Sequence, residues 1–145
     1  MDVDSGVKDL SFLLKNMSPK FMKGQFVFCT VPSGREEPID AEPVMAFLER
    51  EGLTLIIDRD DADRNGLPYN QTWTMITLEV YSDLEAVGFL AAITTRLAEL
   101  GICTNVVSAF FHDHLFVQSD KSGEAMKALK EMTREERRPG GHGAI

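Results

Sequence analysis

The chain has 145 residues, of which 43% are hydrophobic and 26% are charged, a composition that excludes a disordered or low-complexity protein. With 15 basic and 23 acidic residues the formal net charge is −8, which argues against nucleic acid or an anionic membrane as a partner. No uncharged stretch approaches the ~20 apolar residues of a membrane span. The first residues are acidic where a signal peptide is basic, so we expect a cytoplasmic protein.

The first part of the chain predicts a helix followed by a strand. Ser5 is the expected N-cap of the helix, since apolar residues recur at helical spacing from Val7 to Met17. Pro19 follows the end of this helix. The run Phe26–Val31 is short, apolar and rich in residues that favour strands, so it predicts the first strand.

The next segment predicts a second helix, a second strand and a short acidic element. Asp40 is the expected N-cap of the helix and Gly52 its stop. The apolar face of this helix is formed by Val44, Phe47 and Leu48. Residues 53–57 then predict a strand, and residues 58–66 predict a short acidic helix or turn.

From residue 73 the predicted order is strand, helix, strand, strand and helix. Residues 73–80 alternate as a strand does, and Ser82 and Glu85 have the spacing of a capping box at the start of a helix. In a capping box the two residues satisfy each other's backbone N–H groups, so this spacing predicts a helix that opens at Ser82. Gly101 supplies the left-handed residue at its end.

The last part of the chain predicts a hairpin and a final helix. Residues 102–111 predict a strand, His112-Asp113-His114 a tight turn and residues 115–117 the returning strand. In the helix that follows, the residues expected to face inward are Ala125, Met126, Leu129 and Met132.

The two halves of the chain share a period of 49 residues. At this offset Phe26–Val31 falls on residues 75–80, and Gly52 falls on Gly101. Junctions of helix, glycine and strand are common, so chance is one explanation. A constant offset through a strand, a helix and a strand favours instead a tandem duplication with an incomplete first repeat.

The order of elements from residue 73 is that of a ferredoxin-like βαββαβ unit without its last strand. Three segments resemble parts of an ACT domain. Residues 76–80 resemble its first strand, residues 83–88 its ligand loop, and residues 97–102 the end of its helix and its second strand. This resemblance implies an α+β fold of ferredoxin-like, or ACT-like, βαββαβ units, with helices packed on an antiparallel sheet.

A narrower resemblance lies in residues 26–31, 51–55, 84–88 and 112–117. They are similar to small bacterial ACT-domain proteins of uncharacterised function, built as tandem ACT-like halves, and to the paired ACT domains of aspartate kinases. The resemblance implies a non-catalytic regulatory module that binds a small molecule, with an amino acid as the expected ligand. It also implies three parts: an N-terminal truncated ACT-like half (1–68), a C-terminal ACT domain (69–136) and a tail (137–145).

The loop before the predicted third helix is the candidate ligand site. A helix N-terminus presents unpaired N–H groups and a partial positive charge, which suit a carboxylate, while acidic side chains suit an ammonium group. The predicted site comprises the loop and two residues of the neighbouring strand: Ser82, Asp83, Leu84, Glu85, Ala86, Val87, Gly88, Thr104 and Asn105. In the alternative, Ser82 and Glu85 only cap their own helix and leave no donor free.

Two other functions compete with ligand binding. The first is a structural or interaction protein whose sheet mainly mediates dimerisation. A homodimer is expected because open sheet edges need cover, and the candidate edges 26–31 and 103–111 carry few charges. The second is a small enzyme that uses the His112-Asp113-His114 turn. We expect no cofactor and no metal, because two imidazoles are too few for a zinc site.

Overall fold

The computed structural model of the protein describes residues 6–139. Contacts within the chain divide it into two compact units. The central unit comprises Lys23–Thr74, and the composite unit joins the described residues up to Met22 to those from Met75 onward. The predicted division along the sequence, at residue 68 and again at residue 136, stays a prediction.

The described residues form four α-helices and seven strands. Their bounds are α1 (Leu10–Asn16), β1 (Pro19–Phe21), β2 (Phe26–Val31), β3 (Met45–Leu48), β4 (Leu53–Asp58), α2 (Arg59–Arg64), β5 (Trp73–Leu78), α3 (Phe89–Glu99), β6 (Thr104–Ser108), β7 (Asp113–Gln118) and α4 (Ser122–Arg137). The predicted strands at β2 and β4, and the short acidic helix at α2, are confirmed. No helix among residues 6–139 combines the length and apolar character needed to cross a membrane.

The central unit is built on an antiparallel sheet in the order β3-β4-β2. Strands β2 and β4 pair along their whole lengths, from Phe26 opposite Asp58 to Val31 opposite Leu53. Alternate residues of these strands and the buried side of α2 form the core: Val27, Cys29, Leu55, Ile57, Ala62 and Leu67. The core residues of β2 and β4 thus alternate along their strands, and Phe26 and Ile56 on the other face of these strands are also buried.

The predicted helix with its N-cap at Asp40 is wrong, because the segment forms strand β3. Met45–Leu48 pairs antiparallel with β4, and Phe47 lies opposite Thr54. The backbone of Glu49 and Gly52 closes the hairpin with two hydrogen bonds, of 2.9 and 3.3 Å. Pairing with a neighbouring strand therefore overrides the helical spacing of the apolar residues. As a result, the 49-residue offset relates the flanking strands of the two halves but not the element between them, which is β3 in the first half and α3 in the second.

The composite unit has β5, β7 and β6 as successive neighbours, and β1 pairs antiparallel with β5. Helices α1, α3 and α4 pack on this sheet, since their buried side chains share one core with those of β5 and β7. The core includes Leu13, Met17, Ile76, Leu78, Phe89, Ile93, Leu97, Leu115, Val117, Ala125, Met126 and Leu129. The predicted α+β class, with helices on an antiparallel sheet, is confirmed.

The start of the chain differs from its prediction. Helix α1 begins at Leu10, after an N-cap at Asp9 whose Oδ1 accepts from the Phe12 N–H at 3.0 Å. Ser5, the predicted cap, lies outside the described residues. The short strand β1 (Pro19–Phe21) was not predicted, because three half-exposed residues carry no periodic signal.

The hairpin between β6 and β7 is also displaced from its prediction. The Ala109 N–H donates to the His112 carbonyl at 3.0 Å, so the turn lies over 109–112. The predicted tight turn at His112-Asp113-His114 is therefore wrong, since Asp113 and His114 already belong to β7 and pair with β6. Strand β6 ends at Ser108, three residues earlier than predicted.

Candidate ligand site

The loop between β5 and α3 is held by the N-terminal segment of the chain. The Val7 N–H donates to the Tyr81 carbonyl at 2.9 Å, and the Asp83 N–H donates to the Val7 carbonyl at 2.9 Å. The preceding Gly6 has φ 91°, and a Cβ there would lie 2.8 Å from the Tyr81 carbonyl oxygen. Only glycine allows this close approach. Residues 6 and 7 therefore lie across the loop and hold it through the two hydrogen bonds of Val7.

The predicted capping box at Ser82 and Glu85 is wrong, because α3 begins only at Phe89. Ser82 Oγ instead donates to Asp113 Oδ2 at 2.9 Å. The Glu85 carboxylate forms an exposed ion pair with Lys8 at 3.1 Å, which raises the pKa of the Lys8 ammonium through a hydrogen bond and charge attraction. The two side chains therefore fasten the loop to β7 and to the N-terminal segment.

Helix α3 starts without a side-chain cap. Gly88 is its N-cap, with φ 91° and no side chain to accept a hydrogen bond. The first intrahelical bond runs from the Ala92 N–H to the Gly88 carbonyl at 2.9 Å. The N–H groups of the first turn, from Phe89 to Ala91, therefore lack an intrahelical acceptor and carry the positive end of the helix dipole.

A cavity of about 110 Å³ lies against this helix start. Its lining comprises Ser82, Asp83, Leu84, Ala86, Gly88, Phe89, Leu90, Ala91, Ser108 and Asp113. Of the predicted site residues in the loop, Glu85 and Val87 are absent from this lining. Glu85 and Val87 are both exposed.

The predicted contribution of β6 lies at the end of the strand away from this cavity. Thr104 and Asn105 pair with Val117 and Phe116, whereas Ser108 at the other end of β6 lines the cavity. At a rise of ~3.3 Å per residue, three residues along a strand amount to about 10 Å. Thr104 and Asn105 are therefore outside the cavity that the loop residues line.

Two buried carboxylates flank the uncapped helix. Asp83 and Asp113 are 5% and 6% exposed, and both line the cavity. Asp83 Oδ1 accepts from the Glu85 N–H at 2.6 Å, and Asp113 accepts from Ser82. Asp113 was not among the predicted site residues. An aspartate at the start of an apolar strand does indicate a site, because a buried acid needs a hydrogen-bond or charge partner.

The two histidines of the hairpin are engaged with the protein. His114 Nδ1 lies 2.9 Å from Thr77 Oγ1, and His112 Nδ1 lies 3.4 Å from the Val80 carbonyl. Burial lowers the pKa of His114, and the neighbouring His112 lowers it further, against a smaller opposing effect of Asp113. Within residues 6–139, no three His, Cys, Asp or Glu side chains gather as a metal site would require.

The fold and its elements define the class of protein. Strand, helix, strand, strand and helix on an antiparallel sheet make the composite unit a ferredoxin-like domain. The ACT-domain family model matches residues 5–74, and a second ACT-domain model matches residues 69–131. The chain belongs to the ACT-domain family and carries two such domains in tandem. ACT domains are regulatory, non-catalytic modules that typically bind small-molecule ligands.

Solved structures are similar to this chain, and those below 25% identity share its fold alone. A Vibrio cholerae protein of unknown function, VC0802, described as a possible transport protein, is 45% identical with a TM-score of 0.76, over 89% of this chain and 99% of that one. Atu0741 from Agrobacterium tumefaciens is 18% identical with a TM-score of 0.67, over 79% and 87%. The regulatory subunit of aspartate kinase from Thermus flavus is 9% identical with a TM-score of 0.56, over 79% and 95%, a likeness of fold alone. No curated protein matches the sequence.

Proposed function

We propose that the protein is a non-catalytic regulatory module that binds a small amino acid in the cavity at the start of α3. The observation that carries the proposal is the juxtaposition, in one cavity, of an uncapped helix N-terminus and two buried carboxylates. A cytoplasmic location belongs to the same proposal, since amino acids of metabolism are sensed there.

The two kinds of group suit the two charges of an amino acid. The N–H groups of the first turn of α3 suit the carboxylate, because they lack intrahelical acceptors and carry partial positive charge. Asp83 and Asp113 suit the ammonium group, since a carboxylate is an acceptor with about four lone-pair sites and both carboxylates line the cavity. With a net charge of −8 the protein does not attract anions from a distance, so a zwitterion suits the site better than a diacid.

The size of the cavity favours a small side chain on that amino acid. Its volume of about 110 Å³ exceeds the ~10–15 Å³ that holds one water molecule. It is well below the ~300–1,000 Å³ of pockets that enclose drug-sized ligands. We therefore expect ligands with short side chains to bind more tightly than aromatic ones.

A thermal-unfolding screen against the twenty amino acids tests this proposal. A ligand at ~100 times its Kd adds ~2.7 kcal/mol to the free energy of unfolding. For a chain of this length that raises Tm by about 5–11 °C. A rise confined to small amino acids supports the proposal, and no rise with any amino acid at millimolar concentration contradicts it.

A second candidate, dimerisation through a sheet edge, is favoured by strand β3. ACT domains often dimerise, and β3 ends the strand order of the central unit. Its residues Phe47 and Leu48 are 64% and 79% exposed, which is unusual for large apolar side chains at an edge. Of the two edges predicted from the sequence, β6 ends its strand order, and Phe26–Val31 pairs with β4 along one side and with Trp73 at Phe26 alone on the other. The homodimer stays a proposal.

A further inference from the structure

A second cavity, remote in sequence from the α3 loop, is lined by cationic side chains. Its volume is about 400 Å³, and it lies between the start of β1 and the last two turns of α4. Its lining comprises Ser18, Pro19, Lys130, Thr133, Arg134 and Arg137. We call this cavity the basic groove. No acidic side chain is among its lining residues, although the protein as a whole has a net charge of −8.

The helical register of α4 sets the three cations of the basic groove on one side. Lys130, Arg134 and Arg137 are at positions i, i+4 and i+7, which lie on one face of a helix. The opposite face is fixed in the core by buried residues such as Ala125 and Ala128. At a rise of ~1.5 Å per residue, the Cα atoms of Lys130 and Arg137 are about 10 Å apart along the axis.

Two hydrogen bonds hold the wall of the basic groove in place. Thr133 Oγ1 donates to the Leu14 carbonyl at 3.0 Å, and Arg137 Nε donates to the Lys15 carbonyl at 2.9 Å. Both acceptors belong to the last turn of α1, whose carbonyls have no partner within the helix. Because these contacts anchor the end of α4 to α1, the cations project from a fixed backbone.

The cations of the basic groove form no ion pair among the described residues. Among the described residues, neither Lys130 nor Arg134 forms an ion pair, and Arg137 uses only Nε, in a bond to a neutral carbonyl. The cavity between α3 and α4 differs, because its basic residues share the lining with acids: Arg96, Lys127, Glu124 and Glu131. An unpaired cluster in an acidic protein favours an anion from outside.

We propose that the basic groove binds a small anion with a chain of two or more phosphates. Arginine guanidinium groups pair with phosphate oxygens through two parallel hydrogen bonds, and lysine adds a point charge. Because the backbone positions of the three cations span about 10 Å, a chain of phosphates can contact more of them at once than a single phosphate can. The volume of about 400 Å³ lies within the ~300–1,000 Å³ range of ligand pockets.

The backbone at Ser18 supports this assignment. Ser18 has φ 38°, in the left-handed region that residues other than glycine seldom adopt. This conformation turns the chain from α1 directly into β1 and brings the serine to the rim of the basic groove. Its hydroxyl adds a neutral donor beside the three cations. Residues held in rare backbone conformations cluster at binding sites.

Calorimetric titration of the full chain with tripolyphosphate, at low ionic strength, tests the proposal. We expect Arg134→Gln to weaken binding at least about tenfold, the loss that one charge-assisted hydrogen bond predicts. Lys127→Gln is the matched control, since it removes one positive charge from the same helix at a residue that lines another cavity and not the basic groove. We expect it to change affinity less than about twofold. Thermal unfolding checks that both variants fold.

Three outcomes overturn the proposal. They are no binding of tripolyphosphate by the wild-type protein, an equal loss in Lys127→Gln and Arg134→Gln, and orthophosphate binding as tightly as tripolyphosphate. A titration with adenosine triphosphate distinguishes a nucleotide from a free phosphate chain as the ligand. Affinity equal to that of tripolyphosphate identifies the chain itself as the recognised group, and a higher affinity identifies a nucleotide. Both support the proposal, which does not depend on amino-acid binding at α3.

Discussion

The substitution Ser82→Ala tests the buried bond that fastens the α3 loop to β7. The bond joins Ser82 Oγ to Asp113 Oδ2 at 2.9 Å, and the two residues are 5% and 6% exposed. Hydrogen bonds to charged groups contribute about 1.5–3 kcal/mol to stability. Because Asp113 also lines the cavity, water can partly replace the lost hydroxyl, so we expect the lower half of this range, about 1.5–2 kcal/mol.

Thermal and urea unfolding measure this loss. For a chain near 150 residues it corresponds to a fall in Tm of about 3–8 °C. Ser108→Ala is the matched control, since this exposed serine lines the same cavity and should change stability by less than about 0.5 kcal/mol. In a double-mutant cycle, Ser82→Ala and Asp113→Asn should show a coupling of about 0.5–3 kcal/mol. A loss below about 0.5 kcal/mol, or additive effects, would refute the reasoning.

Three further predictions follow from the described side chains. Since burial lowers the pKa of His114, the native state favours its neutral form, so stability present at neutral pH should fall as pH drops below about 6.5. His114→Gln should flatten that part of the stability–pH curve, and an unchanged curve would refute this origin. If β3 mediates a homodimer, Leu48→Lys should dissociate it in sedimentation runs and leave a folded monomer. A wild-type protein sedimenting only at 16.2 kDa would exclude the dimer. Exposed Cys103 should react with a thiol reagent much faster than Cys29, because Cys29 is buried and its pKa is raised by burial. Mass spectrometry measures the rate of modification at each cysteine, and equal rates would contradict the burial of Cys29.

Long periodic elements could be predicted from the sequence because burial on one face leaves a clear pattern. The strand Phe26–Val31 and the final helix have that pattern, and both are confirmed. The segment Met45–Leu48 was mistaken for a helix because four apolar residues near an aspartate fit either structure. Its pairing with β4 is a non-local interaction that local spacing does not contain.

The candidate site was partly predictable for a similar reason. The loop was identified from local chemistry, and Ser82, Asp83 and Gly88 do line the cavity at the start of α3. The role assigned to Ser82 was wrong, because its partner Asp113 is distant in sequence and belongs to another strand. Contacts of this kind depend on strand register and on the exact length of β6, neither of which a capping pattern reports.

The central claim is that an amino acid binds at the start of α3. Its most direct test is isothermal titration calorimetry of two variants, Gly88→Leu and Gly34→Leu, each with the amino acid that raises Tm most in the screen. The two glycines have φ 91° and 89°, so leucine should strain both backbones alike, by about 1–2 kcal/mol. Only Gly88 lines the cavity. We predict that Gly88→Leu abolishes binding while Gly34→Leu binds as the wild-type protein does. Wild-type affinity in a folded Gly88→Leu variant would contradict the claim.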